Sequence, residues 1–306
     1  MLANILFVCF IATIFLLRYL DSKSRKLRGY TNLCPEPVID NTDIVFEGSS
    51  LKIPNEQLHF ILNKRHHYYR SLNEIQQKRF LKRLVRFLHR KTFIIKDNKG
   101  YKEMPVLVSA AAVQLTFGLN EYLLPFYKYI RIYPEEFIFT HSYLILAGNV
   151  QNNIITVAWN QLLHGLTRAD GCNVILHEMS HALYIQKMVI EAEYAKAFSK
   201  HYIHLENSCA KAYKIEISGL RNLYSDYAET NLQEFWAETV EIFFEKPDEL
   251  YKEHPDVFTA MMVLLNQDPR KLSDPVIKTN LSFYEKFEKL KEVFRRKKIT
   301  NNITQL

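Results

Sequence analysis

The segment NVILHEMSHALYIQ, Asn173 to Gln186, restricts this chain more than any other stretch of it. Two histidines, His177 and His181, stand four residues apart, and Glu178 directly follows the first. No Pro or Gly interrupts Cys172 to Tyr194, and Val174, Ile175, Ala182, Leu183 and Ile185 supply apolar faces. The pattern predicts an α-helix with Asn173 as its cap. Residues i and i+4 share a helix face, so both imidazoles can hold one metal ion. Glu178 is turned by about 100° from His177. It reaches a water beside that ion rather than the ion itself. Two imidazoles for zinc and one carboxylate for the proton of water is the division of labour of a metallohydrolase. The plain alternative is an ordinary helix with two satisfied core histidines. Glu178 argues against it, because a charge among apolar neighbours needs a partner or a task.

Catalytic zinc takes three protein ligands and keeps one position open. A histidine six residues beyond His181 would mark the metzincins, but Lys187 stands there, and Tyr184 stands where their glycine belongs. That class is excluded. His201, His204 and Glu206 fall near the distance used by thermolysin-like enzymes. A stronger candidate lies in YAETNLQEFWAETVEIFFEKP, Tyr227 to Pro247, which reads as a helix capped by Asn231. Glu234, Glu238 and Glu241 run along one side of it, and Leu232, Phe235, Trp236, Val240 and Phe243 supply its apolar surface. Glu238 and Glu245 read as members of a solvated face. Glu234 differs, with aromatic residues directly after it and Tyr227 two turns before it.

The rest of the chain sets the context. Of 306 residues, 48% are hydrophobic, with only eight glycines and ten prolines, which suits one large folded domain or two small ones. The formal net charge of +7 is concentrated near DSKSRKLR and Arg295–Lys298. These runs read as solvated faces or membrane-surface contacts. No nucleic-acid module accompanies them, so nucleic acid is not an expected partner. Cys9, Cys34, Cys172 and Cys209 form no CxxC pair, which argues against both a disulfide framework and a zinc knuckle. Cys172 is expected to pack. Residues 1–20 are almost wholly apolar, and the positive charge follows them rather than preceding them. They read as one retained transmembrane helix, a single pass through the cell inner membrane with the remainder cytoplasmic, against the rival readings of a cleaved signal and a buried amphipathic segment. A juxtamembrane linker is expected over 21–58, where Pro35, Pro37 and Pro54 interrupt any periodicity. The folded domain is expected over 59–298 and a polar tail over 299–306.

Within that domain, Asn73 and Gln76 form a capping-box pattern ahead of Phe80, Leu84, Phe87 and Leu88 at helical spacing. A second helix is predicted over Met104–Leu119. Strands are predicted within Tyr127–Phe139 and Asn153–Asn160, with Gly148–Asn153 as a turn. The remainder reads as mostly helical.

Several of these blocks, in order, resemble one family. They are YYRSL, FLKRLVRFLHRKTF, AAAVQLTFGL, IRIYPEEF, VAWNQLLHG, NVILHEMSHAL, YAETNLQEFWAETVEIFFEKPDEL and LLNQDP, spread from about His66 to Pro269. The chain is similar to Mlc titration factor A and its relatives, zinc-dependent peptidases of bacteria. The resemblance implies an α+β, predominantly helical zincin-like domain with a small sheet. It implies zinc held by His177, His181 and Glu234, with Glu178 as general base and Tyr227 as a second catalytic group. It also implies aminopeptidase-like activity on a peptide or protein substrate, and a transcriptional regulator as partner. Three features depart from the family, one of them the apolar amino-terminal segment, which its best-known soluble member lacks. Tyr184 stands where Asp is usual, and 187–223 matches poorly. The competing function is a zinc-stabilised protein that sequesters a regulator with little hydrolysis. The intact Glu178 favours catalysis, since a purely structural zinc site needs no base.

Overall fold

A computed structural model describes residues 34–96, 102–139, 144–167, 169–216 and 231–272, together with 29, 223–225 and 228. The apolar segment 1–20, Tyr227 and the tail lie outside the described residues.

The first element is a strand, β1 (Ile44–Glu47), and α1 (Asn55–Arg65) and the single turn α2 (His67–Arg70) follow it. Part of the stretch expected to be a linker is therefore built into the fold. β1 is four residues long with alternating burial, too short to show a period, and only its antiparallel pairing with β2 (Thr92–Ile95) makes it a strand. Between them, α3 (Glu74–Leu88) starts as its capping box predicts. Gln76 N donates to Asn73 Oδ1, and Asn73 N donates to Gln76 Oε1, both at 3.0 Å. Phe80, Leu84, Phe87 and Leu88 are buried along one face.

The helix α4 (Glu103–Thr116) is buried at every residue from Met104 to Thr116. A helix apolar on all sides belongs in the core, and this one is packed by α3 and α1. It carries the chain from β2 to β3 (Tyr129–Tyr133), which pairs parallel with β2. A parallel neighbour needs such a crossover. β4 (Phe137–Phe139) and β5 (Leu144–Leu146) form a separate antiparallel pair. β6 (Gly148–Gln151) and β7 (Ile154–Ala158) then complete a five-stranded mixed sheet in the order β1-β2-β3-β7-β6. Of the expected turn at Gly148–Asn153, only Asn152 and Asn153 are turn, and Asn152 takes φ +52. The first four residues form the edge strand. Their polar composition hid them, since an edge strand needs no apolar alternation.

β7 runs directly into α5 (Trp159–Thr167), and α6 (Val174–Tyr184) carries the HEMSH motif. α6 ends in one π-helical stretch, Ile185–Ile190. The chain continues through α7 (Lys196–Glu216), α8 (Leu232–Glu245), α9 (Pro247–Glu253) and α10 (Pro255–Leu265). α6 packs on α8 and α4 and rests on β6 and β7. The architecture is α+β, mostly helical with a small mixed sheet. Among the described residues, no helix is long and apolar enough to cross a membrane.

Candidate metal centre

The site forms where α6 and α8 face each other, and each helix is capped at its start. Asn173 Oδ1 accepts from Leu176 N at 3.2 Å. Asn231 Oδ1 accepts from Gln233 N and Glu234 N at 2.9 and 3.0 Å. The second cap fixes the first turn of α8, and with it the origin of the Glu234 side chain. Trp236 Nε1 donates to Ser180 O at 3.2 Å, pinning the two helices together.

Across this seam three ligand atoms converge. His177 Nε2 lies 3.0 Å from Glu234 Oε2 and 3.1 Å from His181 Nε2, and His181 Nε2 lies 3.4 Å from Glu234 Oε2. All three side chains are partly buried. Tetrahedral ligation with bonds of about 2.0–2.2 Å sets neighbouring ligand atoms about 3.3–3.6 Å apart. The trio is within a few tenths of an ångström of that spacing. Its donor set, two imidazole nitrogens and one carboxylate oxygen, is that of a zinc site with an open position.

A test of fit comes from the far side of His177. Its Nδ1 lies 2.7 Å from Glu241 Oε1. A carboxylate there makes Nδ1 the protonated nitrogen of the neutral ring and leaves the Nε2 lone pair facing the other two ligand atoms. Acceptors aimed at one point require a cation or a proton between them. In the ion-free protein that demand shows as charge on the histidine. Burial opposes ionisation of His177, but hydrogen bonds to Glu234 and Glu241 outweigh it and hold its pKa up at about 10. Burial likewise opposes the charge of Glu234, and His177 and His181 overcome it and pull the carboxyl down to about 2. The residues present fit a divalent cation.

Glu178 is 8% exposed and sits on the next helical position, against β6. Burial raises its pKa to about 8, so this environment favours a carboxyl that can hold a proton as well as release one.

The other carboxylates of α8 are engaged rather than solvated. Glu238, 9% exposed, accepts from Ser225 N at 3.0 Å and from Ser225 Oγ. Glu245 accepts from Asn173 Nδ2 and Gly171 N, both at 2.8 Å. Glu241 accepts from Asn173 N with the oxygen that does not face His177. The expectation of a solvated face is corrected for Glu238 and Glu245, because Glu245 meets the loop that leads into α6 and Glu238 meets Ser225 in the segment before α8. Cys172, expected to pack, is exposed. It stands in the loop before the Asn173 cap, where the backbone rather than the side chain is held, its N–H donating to Asp170 Oδ1 at 3.1 Å.

Of the proposed site residues, the structure brings together His177, His181, Glu234 and Glu178, whereas Tyr227 lies outside the described residues. His201, His204 and Glu206 lie on α7, and none of them belongs to the convergent group. The residue that sequence reasoning passed over is Glu241. Its signal was available: it lies seven residues after Glu234, two turns along the same face.

Over 220 residues the chain is 26% identical to an uncharacterized protein of Synechocystis sp., slr2042, covering 66% of this chain and 80% of the relative. The description "glucose-regulated metallo-peptidase M90" matches residues 49–264, a span that contains β6, α6 and α8. With most of its length matched, the chain belongs to the glucose-regulated metallo-peptidase M90 family, the family of Mlc titration factor A.

Proposed function

We propose that this protein is a zinc-dependent peptidase with aminopeptidase-like activity on small peptides, its folded domain zincin-like. The observation that carries the reading is the convergence of His177, His181 and Glu234 with Glu178 on the adjoining helical position. In this reading His177, His181 and Glu234 hold the ion. Zinc bound by them would polarise a substrate carbonyl and acidify water beside it. Glu178 accepts the proton of the attacking water and passes it to the leaving amine. Tyr227 donates a hydrogen bond to the oxyanion as the carbonyl carbon becomes tetrahedral. Among the described residues β6 is the end strand of its sheet, and an extended peptide would add along its outer edge. The membrane anchor at 1–20, with the domain on the cytoplasmic side, and a transcriptional regulator as partner belong to the same reading.

The experiment is peptide cleavage by the purified protein before and after chelation. Activity should vanish with the chelator and return with zinc. A protein that binds zinc stoichiometrically and cleaves no peptide would instead favour the regulator-binding function.

A further inference from the structure

The two other carboxylates around the candidate metal centre are fixed by hydrogen bonds: Glu234 by the histidines and Glu241 by His177 and Asn173. Glu178 differs. Among the described residues, no hydrogen bond or ion pair holds its carboxylate. What does confine it is Gly148, the first residue of β6. A Cβ built on Gly148 would lie 2.4 Å from Glu178 Cγ, 2.5 Å from Oε1 and 2.7 Å from Cδ. All three distances are far below van der Waals contact. The backbone of Gly148 does not take a left-handed φ. Glycine is required here by the space it leaves, not by its conformation.

We propose that Gly148 is the positioning residue for the Glu178 carboxylate. By lacking a side chain, it lets the edge strand lie flat against the carboxyl and sets the depth at which that group stands beside the ligand trio. The inference rests on the proposed role of Glu178 as general base. The atoms that would meet a new methyl, Cγ, Cδ and Oε1, all belong to the Glu178 side chain and none to backbone, so relief comes from rotating that side chain as a whole. A methyl at 148 should therefore swing the carboxylate away rather than unfold the sheet. Proton transfer is sensitive to such a shift, since a misplacement near 1 Å commonly costs on the order of 100-fold in rate.

The test combines crystal structures, zinc stoichiometry and kinetics for wild type, Gly148→Ala, Glu178→Gln and the double variant. Gly148→Ala should keep full zinc and a near-normal KM, show the Glu178 carboxylate displaced by about 1 Å or more, and lose kcat on the order of 100-fold. Added to Glu178→Gln, the same change should cost nothing further, because both remove one function. A purely structural glycine would give the same penalty in both backgrounds. An undisplaced carboxylate in Gly148→Ala, wild-type kcat, or additive losses would each overturn the proposal. If Gly148→Ala does not fold, Gly148→Ala/Glu178→Ala decides. Recovery of folding keeps Glu178 as the group in contact, and continued failure overturns the proposal. Should the wild-type protein cleave no peptide, the peptidase reading falls, while the carboxylate displacement remains readable in the structures.

Discussion

His177 and Glu241 are joined at 2.7 Å through Nδ1 and Oε1, and the other oxygen of the same carboxylate accepts the backbone N–H of Asn173. One side chain of α8 thus holds both the start of the HEMSH helix and the ring of its first histidine. The bond at Nδ1 selects the tautomer whose Nε2 lone pair faces His181 and Glu234.

Glu241→Ala should weaken zinc binding by roughly 10–100-fold, the usual effect of removing a carboxylate behind a histidine ligand. Glu241→Gln should restore part of the loss, since its amide oxygen can still accept from Nδ1–H. Competition with a calibrated chelator measures both. Equal affinity in wild type and Glu241→Ala would show that the ring is oriented by something else.

Glu234→Ala should lose zinc outright on dialysis, whereas Glu238→Ala should keep it. The two carboxylates are one turn apart, about 5–6 Å along the axis, and a zinc–oxygen bond of about 2 Å reaches only one of them. Glu238 instead holds Ser225, so its loss should loosen the turn at Ser225. Elemental analysis reads the first effect. Full zinc in Glu234→Ala, with loss on changing His201, His204 or Glu206, would move the third ligand to α7.

Glu178→Gln should keep zinc and lose at least about 100-fold in turnover, the scale of general-base catalysis. Near-normal kcat in the zinc-loaded variant would remove Glu178 from the chemistry. Tyr227→Phe should likewise spare zinc and lower kcat.

Lys91 gives a prediction about stability. Its buried Nζ donates to the carbonyls of Leu123, Leu124 and Tyr127 at 2.8, 2.8 and 2.5 Å. These bonds clasp a turn in which Leu124 takes φ +46. Lys91→Met should destabilise the fold by roughly 1–3 kcal/mol, because buried carbonyls lose their donor. Burial depresses the Lys91 pKa to about 7 in the folded state, against about 10.4 in the unfolded chain. Between those values the unfolded chain binds more protons, so this group makes stability rise with pH from about 7 to about 10. Urea titrations across that window should show a shallower rise in Lys91→Met than in wild type. Parallel curves would place the titration elsewhere.

Deleting residues 1–20 should leave a soluble, folded domain. Deleting through residue 58 should not, because it removes β1 from the sheet and Leu58 from the core. Circular dichroism and thermal melts of the two truncations separate the cases. A melt unchanged by the longer deletion would show that β1 is dispensable.

The sequence by itself determined what depends on neighbours within a few turns. Asn173 and Asn231 cap their helices, Asn73 and Gln76 close their box, and His177 and His181 share a face, because caps and the 3.6-residue period act over three or four positions. The row of glutamates on α8 was legible for the same reason. Tertiary structure decided what each carboxylate meets: Glu234 the histidines, Glu238 Ser225, Glu241 the back of His177, and Glu245 the Asn173 cap. Those of Glu234, Glu241 and Glu245 follow from how α8 lies against α6, and that of Glu238 from how the chain before α8 folds back on it; a helical period carries no information about either. The same holds for β1 and β6, each four residues long, which became strands only by hydrogen-bonding to β2 and β7. It holds most plainly for Gly148 and Glu178, thirty residues apart in the chain. Their contact exists because a helix rests on the edge of a sheet, and only close packing in three dimensions brings a missing side chain against a buried carboxylate.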